Sequence, residues 1–409
     1  MPSLLIHLEC ARCGATYDAD ELHQRCTCGG TLLCRYDLSH PVDLRAVRAR
    51  PPSFLRFAEL LPPLDAPASL GELETPLLAA PRLSDAVGTT IFVKDDSGLP
   101  GGTFKARGAF LGLNRAHTLG AQSIVMPSAG NAGGAWALYA ARAGVKLHVT
   151  MSRSAPAMNQ AEVVAAGATL ELVDGSIADA GARAADIARE EGAFLAATFN
   201  EPYRLEGKKT AWLEVFDALG PDLEMHFPSA IVLPVGGGVA AIAAIKAAEE
   251  ALALGWSNDP IPRLIGVQAQ GAAPIADAFA AGLDEVPAIA GEPQTIAAGL
   301  RVPAPAEGAL VLQKVRASGG AMVVVDDDEI RRAIDELAST EGIYACPEGA
   351  ATLAAARKVR DTFESDETVV LYNTGAGAKY AAFLADLGPQ EGLLTTAGQS
   401  PIIEHTFDS

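Results

Sequence analysis

Gly101-Gly102-Thr103-Phe104-Lys105-Ala106-Arg107-Gly108 follows a short apolar run, Thr90-Ile91-Phe92-Val93, and a polar turn from Lys94 to Pro100. Behind it, Ala106 to Leu119 has helical apolar spacing, so the stretch predicts a strand, a glycine-rich turn and a helix beginning at the lysine. An amine at that end of a helix feels the positive pole of the helix dipole, which favours its neutral form. A neutral amine is what a Schiff-base lysine offers to an aldehyde. Most lysines are solvated surface groups. What separates Lys105 from them is the set of motifs that follows.

Working outward, the strand–turn–helix pattern repeats. Apolar, β-branched runs at Ser123–Met126, Leu147–Met151, Thr169–Val173, Ala230–Val235, Leu264–Val267, Val323–Asp326 and Val369–Tyr372 alternate with longer stretches of helical period, such as Ala132–Ala143 and Asp179–Glu191. That alternation predicts βαβ units and mainly parallel sheets. Three of the turns can carry chemistry. Ser128-Ala129-Gly130-Asn131-Ala132-Gly133-Gly134 opens a helix whose backbone amides suit a carboxylate or phosphate, and the Asn131 amide can donate to a phenolate oxygen. Pro234-Val235-Gly236-Gly237-Gly238-Val239 lets the backbone close around a phosphate with no side chain in the way. Asn373-Thr374-Gly375-Ala376-Gly377-Ala378-Lys379 ends a strand, where open α/β sheets bind ligands, and the Thr374 hydroxyl can meet a ring nitrogen without adding charge. Each of these is, alone, an ordinary glycine-rich turn. Together they supply an amine, two anion-binding loops and a neutral hydroxyl, a constellation that suits pyridoxal phosphate.

Length and composition fit this reading. A chain of 409 residues, 49% hydrophobic and 20% charged, has ample core for two or three compact units. A net charge of −19 argues against a nucleic-acid partner, since phosphate backbones need a basic face. No basic leader precedes an apolar run and no apolar stretch is long enough to span a membrane, so the expectation is a cytoplasmic protein with no membrane contact. The motif G-x-x-x-x-G-K-[ST] does not occur, which disfavours a nucleotide P-loop.

Five of the six cysteines precede residue 35. Cys10-Ala11-Arg12-Cys13-Gly14 and Cys26-Thr27-Cys28-Gly29-Gly30 form two knuckles of zinc-ribbon shape, with Cys10, Cys13, Cys26 and Cys28 as the candidate metal ligands. The second knuckle is one residue short of the usual spacing. The expectation is therefore a metal-free mini-domain of reduced thiols over residues 1–38, with bound zinc, or Cys34 as a substitute ligand, as the alternatives. Residues 39–70, rich in proline and arginine, read as a linker with one short helix.

On these motifs the chain resembles the fold-type II pyridoxal-phosphate enzymes of the tryptophan synthase β-subunit superfamily, and within them the threonine synthase family. The resemblance runs from about Glu72 to Lys379 and takes in the cysteine-bearing leader. The family's P-T-G-S-F-K-D-R-G appears as Pro100–Gly108, and its N-P-x-R-x-E-G-x-K-T is similar to Asn200–Thr210. The resemblance implies an α/β protein with two doubly wound, mainly parallel-sheet domains: a large cofactor-binding domain of residues 39–116 and 201–409, and a small domain of 117–200. It implies a homodimer that takes a small amino-acid substrate. It implies Lys105 as the catalytic lysine, with Asn131, Gly236, Gly237, Gly238, Val239 and Thr374 as further cofactor contacts. Ser128, Ala129, Gly130, Asn131, Ala132 and Arg204 are the implied substrate contacts, Arg204 on the substrate phosphate. The implied reaction is conversion of O-phosphohomoserine and water to L-threonine and phosphate. Several residues depart from the pattern: Ala106 for aspartate, Ala132 for threonine, Phe199 for a phosphate-binding serine, and Cys346-Pro347-Glu348-Gly349 for E-P-A-S. Gly236-Gly237-Gly238 is closer to the loop of serine/threonine dehydratases. A dehydratase, or another β-elimination or replacement enzyme, is thus the alternative, and an effector-binding protein that keeps the cofactor is a second.

Overall fold

The computed structural model of the chain describes residues 3–220 and 223–380. The chain opens with strands β1 (Leu5–Cys10), β2 (Thr16–Tyr17) and β3 (Leu32–Tyr36), then runs through helix α1 (Leu44–Arg48), β4 (Leu77–Ala79), α2 (Pro81–Val87), β5 (Thr90–Asp95) and α3 (Lys105–Thr118). Next come β6 (Ser123–Pro127), α4 (Asn131–Ala143), β7 (Lys146–Ser152), α5 (Ala157–Ala165), β8 (Thr169–Val173), α6 (Ile177–Glu191) and β9 (Phe194–Leu195). The remainder is α7 (Tyr203–Leu219), β10 (Ala230–Pro234), α8 (Val239–Ala253), β11 (Arg263–Ala269), α9 (Pro274–Ala280), α10 (Gly308–Ala317), β12 (Ala321–Val325), α11 (Asp327–Glu341), α12 (Pro347–Lys358) and β13 (Thr368–Asn373). Of the segment 201–409, residues 221–222 and 381–409 lie outside the described residues.

The strands form three sheets. The small antiparallel sheet has the order β2-β1-β3, the largest has β12-β11-β10-β13-β5-β4, and the third has β8-β7-β6-β9. The third is parallel throughout, and in the largest only the β4–β5 pair is antiparallel. Strands β10 and β13 are apolar on both sides and take central places because helices cover both faces. Ile231 and Leu233 pack with the buried residues of α7 and α8, while Ala230 and Val232 pack with those of α11 and α12. Two helices encode their own ends locally. Ser176 with Asp179 and Asp326 with Glu329 are reciprocal capping boxes, and Gly192 and Gly342 close the same helices in the left-handed conformation.

Helix α3 crosses between the two large sheets. Ala106, Ala109, Phe110 and Leu113 lie in the core under the four-stranded sheet, with Trp136, Ile124 and Val149. Its first residue is left at the junction. The stretch 39–70, read as a linker, is not a solvated one: Phe54, Leu61 and Leu64 are buried in the core that holds α3, and Phe57 and Leu60 in the core that holds α7. Prolines there set the path of a chain whose aromatic and aliphatic side chains act as wedges between layers. The cysteine-bearing leader is docked as well. The Thr31 hydroxyl donates to the Phe199 carbonyl at 3.0 Å, the Tyr36 hydroxyl donates to Glu206 at 2.9 Å, and Arg115 reaches the Ala19 carbonyl at 2.8 Å.

Candidate functional site

A cavity of about 400 Å³ opens where the chain leaves β6, β10 and β13 and where α3, α4 and α8 begin. Lys105, Ser128, Ala129, Gly130, Asn131, Ala132, Arg204, Gly236, Gly237, Gly238, Val239 and Thr374 all line it. Positions far apart in sequence meet because parallel strands deliver their following loops to one edge of the sheet. The four leader cysteines lie elsewhere.

Lys105 is the first residue of α3, half-buried, with its ammonium 4.7 Å from the centre of the Phe104 ring. Burial, and then the nearby Arg204 guanidinium, bring its pKa down from 10.5 to about 8. A carboxylate, Glu348, pulls the other way and is outweighed. The expected neutral amine therefore comes chiefly from desolvation. The helix dipole invoked from sequence adds to that effect.

The glycine loop caps α8, with Gly238 as N-cap at φ +87°. A Cβ on Gly238 would stand 2.2 Å from Val311 Cγ2, and one on Gly236 would stand 2.4 Å from the Gly299 carbonyl oxygen. Both positions are closed to side chains, so bare backbone lines this part of the cavity at the start of α8, where free amides suit a phosphate. Asn131 begins α4 and donates from Nδ2 to the Tyr380 hydroxyl at 3.1 Å. The Ser128 hydroxyl is engaged by its own turn, accepting from the amides of Gly130 and Gly133 at 3.2 and 2.9 Å. Thr374 is buried, with its hydroxyl 3.4 Å from the Cys346 sulfur. Burial keeps that thiol protonated at neutral pH, so a neutral pair sits at this end of the cavity. Amine, bare amide cradle and neutral hydroxyl are the donor set that pyridoxal phosphate requires, and the residues present fit it.

Helix α7 forms one wall. Arg204 stacks 5.1 Å over the Trp136 ring, pairs through Nε with Glu201, and donates from Nη2 to the Ala196 carbonyl at 2.9 Å. Its Nη1 has only a long contact to the Thr198 hydroxyl at 3.5 Å. Arg204 is thus partly committed to structure, and one edge remains for a ligand. Lys208, one turn on, also lines the cavity, whereas Lys209 turns away into an ion cluster with Glu206 and Glu250, both at 2.6 Å.

Sequence reasoning missed several lining residues. Glu348 accepts from the Gly299 amide at 2.6 Å through one oxygen, and its other oxygen is buried without a hydrogen-bond partner. Tyr380 and Trp136 gave no local signal, since aromatic residues in a helical pattern read as core. Arg301 enters on a loop with no motif, its guanidinium donating to the Thr295 carbonyl at 2.8 and 2.6 Å.

The sulfurs of Cys10, Cys13, Cys26 and Cys28 lie within 4.8 Å of one another, with Cys10–Cys28 and Cys13–Cys26 at 3.5 Å. A tetrahedral site with bonds of about 2.3 Å needs sulfurs about 3.8 Å apart, so the short second knuckle does not prevent a four-thiolate set. Left-handed turns at Gly14 and Gly29 fold each knuckle back toward the other. The Tyr17 hydroxyl, 3.2 Å from Cys26, and then the backbone amide of Cys28 and the neighbouring thiols bring that thiol's pKa down to about 6. Cys34 is buried in the sheet's own core with Leu8 and Tyr203, and is not the substitute ligand considered above.

A sequence-family profile described as "Pyridoxal-phosphate dependent enzyme" matches residues 68–375. The threonine synthase of Methanosarcina acetivorans is 36% identical over 379 residues, covering 91% of each chain. That of Methanocaldococcus jannaschii is 33% identical over 379 residues, 90% of this chain and 92% of its own. Among solved structures, maize serine racemase superposes with a TM-score of 0.66 at 24% identity, over 85% of this chain and 98% of its own. A threonine deaminase, from the organism abbreviated T.th., does so with 0.63 at 26% identity, over 74% and 92%. The structural likeness carries the fold, and the sequence likeness carries the family.

Proposed function

The chain belongs to the pyridoxal-phosphate dependent enzymes and, among them, to the threonine synthase family, and from that premise we propose that its cavity converts O-phosphohomoserine and water to L-threonine and phosphate. Pyridoxal phosphate supplies the electron sink for carbanion chemistry at the substrate's α-carbon. The observation that carries the assignment is the desolvated Lys105 amine, its pKa brought to about 8, in one cavity with the bare amides of Gly236, Gly237, Gly238 and Val239.

In this reading Lys105 Nζ binds the cofactor and, once released by substrate, accepts the α-proton, as a base of near-neutral pKa can. The amides of Gly236–Val239 would hold the cofactor phosphate, and the Thr374 hydroxyl and the Asn131 amide would hold its ring by hydrogen bonds. The amides from Ser128 to Ala132 receive the substrate carboxylate at the start of α4. The Ser128 hydroxyl only shapes that turn, because its bonds are already made. Arg204 receives the substrate phosphate through its free edge.

Three further assignments go with this one. The four-thiolate ribbon of Cys10, Cys13, Cys26 and Cys28 holds a structural zinc, supported by the mutual approach of all four sulfurs. The protein works as a cytoplasmic homodimer on a small amino acid, away from membrane and nucleic acid. No helix of the described residues is long and apolar enough to cross a membrane. The larger domain is 39–116 with 201–409, and the smaller is 117–200.

A serine/threonine dehydratase is the competing reaction, favoured by the Gly236–Gly238 loop. Parallel assays decide: threonine and phosphate from O-phosphohomoserine, with only slow 2-oxobutanoate from threonine, is the expected outcome. Efficient deamination with no phosphate release reverses the assignment.

A further inference from the structure

Among the described residues, four lysine and arginine side chains line the cavity: Lys105, Arg204, Lys208 and Arg301. Their surroundings divide them. Arg204 is paired with Glu201, and two nitrogens of Arg301 are engaged by a backbone carbonyl. Lys105 is reserved for the cofactor in the reading above. Lys208 is only 6% exposed, yet among the described residues its ammonium has neither a carboxylate within ion-pairing distance nor a hydrogen-bond acceptor. Its nitrogen lies 4.8 Å from the centre of the Phe104 ring, and that of Lys105 lies 4.7 Å from the same ring.

A buried ammonium with no counter-charge is costly, and a protein keeps one where something else supplies the charge. Lys208 lies four residues after Arg204, on the same side of α7, so the two present their nitrogens to one part of the cavity. We propose that Lys208 reads the phosphate-monoester dianion of the substrate, with the free edge of Arg204 as its partner. This deepens the phosphorylated-substrate reading and rests on it.

The charges facing Lys208 explain why the ligand would be felt as a proton event. Burial, then Lys105 on α3 and Arg204 on α7, hold its pKa well below 10.5, and Glu201 opposes them weakly. Its ammonium form is therefore disfavoured in the ligand-free cavity. A dianion beside it restores the ammonium, so anion binding takes up a proton.

Sulfate is the probe, because it is tetrahedral and stays dianionic over the working range. The holoenzyme, whose cofactor phosphate already fills the glycine cradle, is titrated with sulfate calorimetrically near pH 8 in two buffers of unlike ionisation enthalpy. Wild type should take up protons on binding sulfate. Lys208→Met should bind sulfate about 10- to 100-fold more weakly, the range for a lost charge-assisted contact, and take up none. Lys208→Arg, always charged, should keep the affinity and lose the uptake. Sulfate affinity unchanged in Lys208→Met, or proton uptake surviving in a folded Lys208→Arg, overturns the proposal. Release of phosphate from O-phosphohomoserine is measured alongside. Release by wild type with the same KM in Lys208→Met sinks this inference alone, whereas no release by wild type sinks the reading of the reaction.

Discussion

Lys208 and Lys209 are neighbours on α7 and face opposite regions of the molecule. Toward the cysteine-bearing leader, Lys209 and Lys246 share the carboxylates of Glu206 and Glu250, and the Tyr36 hydroxyl from β3 completes the group. Toward the cavity, Lys208 and Lys105 share the Phe104 ring and have no ion-pair partner among the described residues. Both regions are buried. In the first, burial is outweighed by the two carboxylates and the Lys246 pKa is raised. In the second it is not, and both lysine pKa values fall. A buried charge that is matched by its neighbours is part of the scaffold, and one left unmatched marks where a ligand belongs.

The largest way to break this contrast is Lys105→Ala. With no ion-pair partner among the described residues, Lys105 should be removable without unfolding the chain, while kcat falls by at least about 10³-fold, toward the upper range for a lost acid–base group. A thermal midpoint near wild type alongside that loss is the check. Borohydride reduction of the holoenzyme should label Lys105, and label on another lysine instead would remove it from the mechanism.

The opposite face should respond in the opposite way. Glu206→Ala leaves Lys209 and Lys246 facing one remaining carboxylate, and should cost about 3–5 kcal/mol in denaturant unfolding, the range for breaking a buried ionic group. KM for substrate in the folded fraction should move little. A variant of full stability would mean that the leader and α7 are held by packing alone.

Arg204→Ala tests the intermediate case, a residue half committed to each role. Reaction of O-phosphohomoserine should fall about 10- to 100-fold, for loss of one charge-assisted contact, and deamination of threonine far less. Equal losses would make Arg204 structural, through its hold on Glu201.

The smallest effect expected is a shift in reactivity. In cofactor-free protein, acylation of Lys105 should reach half its maximal rate near pH 8, against 10.5 for an exposed lysine. Between those values the unfolded amine keeps a proton that the folded one has lost, so this residue's contribution to stability rises with pH across that window. Midpoints that coincide with those of exposed lysines would remove the desolvation argument.

Much of this protein was legible in its sequence. Alternating runs and glycine turns determined a mainly parallel α/β fold, because strand and helix periods are local properties. They also singled out Lys105, Asn131, Gly236–Gly238 and Thr374, which the fold brings to one cavity, since glycine turns at the ends of parallel strands meet at one edge of the sheet. The mutual approach of the four leader sulfurs was not readable from spacing, because the reach of Cys28 depends on the turn at Gly29 and on where the other knuckle stands. The wedges Phe54 and Phe57 were hidden in a proline-rich stretch whose composition suggested exposure. Which of two adjacent lysines carries a counter-charge was decided only by tertiary structure. Helix phase turns Lys208 and Lys209 roughly 100° apart, but whether Glu250 or an open cavity waits on each side depends on packing between segments far apart in the chain. Electrostatic environment is a sum over neighbours in space, and a sequence lists neighbours only along the chain.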